Sequence, residues 1–118
     1  MMGHSWVEIE VSNPERTKSK KVKALVDTGA SLTVLPEELA NELEIKPLRE
    51  EKVMTGAGLV KVKRGEARIK LLGKEAPFDV WISDFIDKVL LGVIVLETLG
   101  FKVDPKTGRL EETPLLLY

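Results

Sequence analysis

Apolar and polar residues alternate with period two over Trp6-Val7-Glu8-Ile9-Glu10-Val11, which puts Val7, Ile9 and Val11 on one face and predicts a half-buried strand. Ser12-Asn13-Pro14 ends it. The polar segment Glu15 to Lys20 reads as a hairpin loop and Val22 to Val26 as the returning strand. Leu32 to Leu35 is a short apolar segment. Pro36 then suits the first turn of a helix, Glu37 and Glu38 favour its positive end, and Leu39 and Leu43 are spaced to face a core. Lys52 to Val62 reads as two strands joined by a glycine-bearing tip. Ala67 to Leu72 and Phe78 to Ile82 have strand character on either side of a turn at Gly73-Lys74. Val89-Leu90-Leu91 predicts a short buried strand, Val93 to Leu99 a helix of about two turns closed by Gly100, and Asp104-Pro105-Lys106-Thr107-Gly108 a turn. Two stretches, Leu25 to Pro47 and Leu90 to Pro105, share an outline of strand, loop, short helix and Pro.

The apolar run that begins at Ala24 ends in Asp27, followed at once by Thr28-Gly29-Ala30-Ser31. A carboxylate that activates water must be held rigidly at a strand end, and the apolar stem Leu25-Val26 anchors it from behind. Gly29 lacks the Cβ that would block a tight turn, and its N–H is free to bond the carboxylate. Thr28 can bond across to a neighbouring backbone. Asp, Thr and Gly also favour ordinary turns, so the tripeptide gains weight only from the apolar run before it and from a second apolar-apolar-Gly segment, Leu90-Leu91-Gly92, far downstream.

The 118 residues are expected to form a single domain, residues 1–118, with one core. Eighteen basic and nineteen acidic residues leave a net charge of −1, which indicates neither nucleic acid nor an anionic membrane as partner. The absence of cysteine excludes disulfides, thiol catalysis and thiolate zinc sites. His4 is the only histidine, which argues against a serine-type triad and against a histidine metal site. No cofactor or metal is therefore expected, and with no apolar run long enough to span a bilayer the expected location is cytoplasmic. Gly56-Ala57-Gly58 lacks the Lys-Ser/Thr pair and following helix of a phosphate loop. Trp6, Trp81 and Phe78 are expected in the core.

Taken together, Ala24 to Ser31, the glycine-bearing tip and Leu90-Leu91-Gly92 resemble the retropepsin-type aspartic proteases, and in particular their small prokaryotic and archaeal members. The resemblance implies a mostly β fold: a closed antiparallel barrel with one or two short helices and an active site at a homodimer interface. It implies Asp27 as catalytic carboxylate, with Thr28, Gly29 and Ala30 as its supporting turn. Thr55, Gly56, Ala57 and Gly58 become the tip of a substrate-covering flap, and Leu90, Leu91 and Gly92 the segment that crosses behind the active-site loop. Two departures stand out. Retroviral enzymes usually carry an acidic residue where this chain has Ser31, and an Arg where it has Val93.

Peptide hydrolysis by this chemistry needs two carboxylates sharing a proton, and the chain has one Asp-Thr-Gly. Asp79, Asp84, Asp87 and Asp104 lie in strand or turn contexts with no comparable motif. The expected assembly is a homodimer that pairs Asp27 with its own copy and acts on peptides or unfolded proteins. The apolar Leu115-Leu116-Leu117-Tyr118 is expected to join an intersubunit sheet. The alternatives are a weak or inactive dimeric module of the same fold that binds or scaffolds peptides by strand addition, and a self-processing piece of a larger polyprotein.

Overall fold

The computed structural model describes residues 5–114, so His4 and the expectation for Leu115 to Tyr118 lie outside the described residues. The chain runs β1 (Trp6–Ser12), β2 (Ser19–Val26), β3 (Thr33–Pro36), α1 (Glu37–Glu42), β4 (Arg49–Thr55), β5 (Gly58–Leu71), β6 (Lys74–Ser83), β7 (Val89–Leu91), α2 (Val93–Leu99), β8 (Phe101–Val103) and β9 (Leu110–Glu112). The main sheet has the order β1-β2-β7-β3-β6-β5-β4, and the β1–β5 pairing of Glu10–Ser12 with Arg68–Lys70 closes its first six strands into a barrel. Closure removes the exposed edges an open sheet would leave. β8 and β9 form a separate two-stranded sheet, whose Phe101 is buried in the common core.

The period-two patterns do what they predict. Ile9 and Val11 point inward from β1, Ile69 and Leu71 from β5, and Phe78, Val80 and Ile82 from β6, all of them buried. Each such side chain removed from water contributes roughly 1.5–3 kcal/mol. The ion pairs on the surface are mostly between exposed side chains, such as Lys18–Glu44 and Lys20–Glu42, and contribute far less. The barrel core therefore carries the stability.

Both helices seal the barrel with the residues their spacing selects. Leu39 and Leu43 are buried at α1, and Val95, Leu96 and Leu99 at α2. Pro36 immediately precedes α1, with Glu37 and Glu38 in its first turn. Gly100 closes α2 in the left-handed region at φ 80°, where a Cβ would be strained.

One element differs from its expectation. Leu59–Val62 and Ala67–Leu71 belong to a single 14-residue strand rather than two. Gly65, in the polar stretch between them, is no break: it lies buried in the ladder opposite Val80, and a Cβ there would come within 3.1 Å of Ile82 Cδ1. The strand is long because its first half forms a hairpin with β4 and its second half forms barrel wall with β6.

At the centre, β3 and β7 meet antiparallel at Val34 and Leu90, while β2 runs parallel to β7 and β6 parallel to β3. Each central strand leads into a helix, β3 into α1 and β7 into α2. The two halves thus share a short strand leading into a short helix, and the β2–β7 ladder sets the ends of those two strands side by side.

Candidate active site

Asp27 follows the last residue of β2, and its backbone N–H donates to the carbonyl of Leu91 at 3.0 Å. The ladder to β7 therefore continues as far as the carboxylate-bearing residue. The chain then turns: Ala30 N–H donates to the Asp27 carbonyl at 3.1 Å, and Gly29 N–H donates to Asp27 Oδ1 at 3.0 Å. A carboxylate held by a backbone donor has a fixed direction. Thr28 and Gly29 are exposed, whereas Asp27 and Ala30 are partly covered.

The turn is braced from behind by Leu90-Leu91-Gly92. Gly92 N–H donates to the hydroxyl of Thr33, a fully buried side chain, at 2.9 Å. Val93 N–H and Ile94 N–H, opening α2, donate to the carbonyls of Ala30 and Ser31 at 2.8 and 3.2 Å. This chain thus ties its loop to the helix through backbone bonds at the two positions, Ser31 and Val93, where an acid and an Arg were absent from the sequence.

The hairpin of β4 and β5 ends in the turn Thr55-Gly56-Ala57-Gly58. Thr55 pairs with Gly58, its hydroxyl donates to the Gly58 carbonyl at 2.9 Å, and Ala57 N–H donates to the same hydroxyl oxygen at 3.1 Å. Gly58 has φ 107°, a value that favours glycine, while Gly56 does not fall in the left-handed region.

Hairpin and loop face each other across a cleft of about 520 Å³. Asp27, Gly29, Ala30 and Ser31 lie on one side, and Val53, Met54, Thr55 and Gly56 on the other. Leu90 also lines the cleft, whereas Thr28, Ala57, Gly58, Leu91 and Gly92 do not. Most of the remaining wall is apolar: Val34, Val60, Val62, Trp81, Phe85 and Ile86, with Ser83. Apart from Trp81, which was expected in the core, these wall residues were not singled out from the sequence. Of the aromatic residues assigned to the core, Phe78 is buried there, but Trp6 is 50% exposed and Trp81 stands half-buried at the cleft. The signal for Trp81 was present in its strand, since alternation along β6 puts it on the face of Asp79 and Ser83, opposite Phe78, Val80 and Ile82.

The model of the gag-polyprotein putative aspartyl protease family matches residues 16–98, well over half of the chain. The chain belongs to this family. Its barrel is the retropepsin-like fold, as comparison with solved structures shows. The EIAV protease complexed with the inhibitor HBY-793 superposes with a TM-score of 0.69 over 99% of this chain and 96% of that one, at 20% identity. A retropepsin-like aspartic protease from Rickettsia conorii gives 0.61 over 86% of this chain and 77% of that one, at 27% identity. The retroviral protease-like domain of Ddi1 from Leishmania major gives 0.60 over 94% and 90%, at 18% identity. The viral and leishmanial likenesses are likenesses of fold. No curated protein matches the sequence. Among the described residues no helix is long and apolar enough to cross a membrane.

Proposed function

We propose that this retropepsin-like chain is an aspartic endopeptidase that hydrolyses peptide bonds as a homodimer, with one Asp27 from each subunit. The observation that carries the reading is the Asp27 carboxylate, bonded by the Gly29 N–H and lining a mostly apolar cleft that the tip of the β4–β5 hairpin also lines. One carboxylate cannot act as base and acid at once. Two copies related by a two-fold axis can, because neighbouring carboxylates share one proton rather than both ionising. The ionised copy takes a proton from water as that water attacks the scissile carbonyl, and the protonated copy donates to the carbonyl oxygen. Collapse of the resulting diol, with a proton passed to the leaving nitrogen, breaks the bond.

Several features support the dimer. Thr28 and Gly29 are exposed beside the carboxylate, and Trp6 is half-exposed on β1 next to the strand that delivers it. An isologous contact through this face would bury them together. The cleft's apolar walls and the hairpin over it suit an extended peptide.

Incubation with unfolded casein tests the reading. The wild-type chain should cut it, and Asp27→Asn, which keeps the turn and removes the charge, should lose activity by roughly a thousandfold. Equal cutting by both proteins would overturn the assignment. A wild type that binds peptides and never cuts them would leave a peptide-binding module instead.

A further inference from the structure

The face of the sheet that looks onto the cleft carries a ladder of charged groups ending in an indole. Arg49, Arg64 and Trp81 stand in one row across β4, β5 and β6, with Arg49 opposite Arg64 and Arg64 opposite Trp81. Two like charges directly opposite one another are unfavourable. Glu51 resolves the conflict: its carboxylate accepts from Arg49 Nε at 3.0 Å and from Arg64 Nη1 at 3.0 Å. Arg64 also donates to Asp79 Oδ2 at 2.7 Å. The same Glu51 oxygen that meets Arg64 accepts the Trp81 indole N–H at 2.9 Å.

That last bond fixes a ring. Trp81 has its polar edge on Glu51 and contributes to the wall of the cleft, and its neighbour across β3 is Val34. Val53 and Val62 complete an apolar corner there. The indole N–H and the Arg64 guanidinium hold the Glu51 carboxyl below the usual carboxylate range, so it stays an ionised acceptor well into acid.

We propose that Glu51 is a positioning residue, holding the Trp81 indole as the wall of a subsite, with Val34, Val53 and Val62, that prefers an aromatic peptide side chain to a small one. The proposal rests on the cleft taking peptides, the reading given above.

Binding to the full chain carrying Asp27→Asn isolates recognition from cleavage. The probes are acetylated octapeptides of valine and alanine in which one phenylalanine is moved through every position, titrated by calorimetry. At one position on each side of the dimer's two-fold axis phenylalanine should bind roughly tenfold tighter than alanine. Glu51→Ala should collapse that ratio to about twofold or less, with affinity for peptides lacking phenylalanine there unchanged. Glu51→Gln, whose amide oxygen still accepts from the indole, should restore it. In a Trp6→Phe background Trp81 is the single tryptophan, and its fluorescence anisotropy should fall in Glu51→Ala but not in Glu51→Gln.

An unchanged ratio in Glu51→Ala, an equal loss for every peptide, or no peptide binding at all would each overturn the proposal. Should Glu51→Ala fail to fold by circular dichroism, Trp81→Phe keeps a ring but lacks the donor, and retention of full discrimination there would overturn the proposal as well. Casein cleavage reads the endopeptidase function separately. A wild type that shows Glu51-dependent preference and never cleaves contradicts only that function; one that cleaves and is indifferent to Glu51 contradicts only the subsite.

Discussion

Gly92 lies against Leu32 so closely that a Cβ on it would sit 2.5 Å from the Leu32 carbonyl carbon and 2.7 Å from its oxygen. The obstacle is backbone, which cannot rotate aside. It belongs to the segment that leads from the Asp27 turn into β3. Gly92→Ala must therefore displace either the loop or the start of α2. The expected cost is about 3 kcal/mol or more, a fall in melting temperature of roughly 10 °C. Thermal unfolding of the variant checks it, and a melting temperature equal to wild type would mean that the loop and β7 are not packed as described.

The two glycines of the hairpin tip should behave differently. Gly58 has φ 107°, where a β-branched residue is strained by roughly 1–3 kcal/mol. Gly56 has no such φ and nothing within 4 Å of an added Cβ. Gly58→Val should reshape the tip and depress casein turnover, whereas Gly56→Ala should leave the melting temperature within about 2 °C of wild type. Full turnover by Gly58→Val would show that the hairpin does not close on substrate.

Stability should fall on acidification. Glu44, Glu51 and Glu75 are held below their ordinary value of 4.5, chiefly by hydrogen bonds from Lys18, Trp81 and Arg68 respectively. The Lys106 backbone N–H does the same for Asp104, whose ordinary value is 3.8. As pH falls through these ordinary values the unfolded chain takes up protons first, which favours unfolding. The stabilisation is present above them and is lost as pH falls through the lowered native values. Melting temperatures measured from neutral pH down to about pH 3 should decline progressively below about pH 4.5. A flat or rising curve in that window would contradict the described pairs.

Local chemistry made much of this protein legible in its sequence. Asp27-Thr28-Gly29 after an apolar strand, Val93–Leu99 closed by Gly100, and the Thr55–Gly58 tip were all readable, because each is decided by a few adjacent residues. The walls of the cleft were not. Val53, Val62 and Trp81 face it because of where β4, β5 and β6 pair and curl, a relation between residues far apart in sequence. An apolar side chain in a strand looks the same whether it faces a core or a cleft. Trp81 differs only in sharing a face with Asp79 and Ser83. The parallel pairing β2–β7, which brings Asp27 to Leu91, and the pairing β3–β6, which sets Val34 beside Trp81, likewise depend on register across the whole chain.

The central claim is that two copies of Asp27, one from each subunit, make one site. Mixing tests it most directly. Wild-type chain at fixed concentration is allowed to exchange subunits with an equal amount of Asp27→Asn, and casein cleavage is followed. If the site needs both carboxylates, mixed dimers are inactive, and random pairing cuts the activity to about half, with further loss as more variant is added. Activity that does not change however much variant is present would show that a single chain's Asp27 suffices, and would contradict the account.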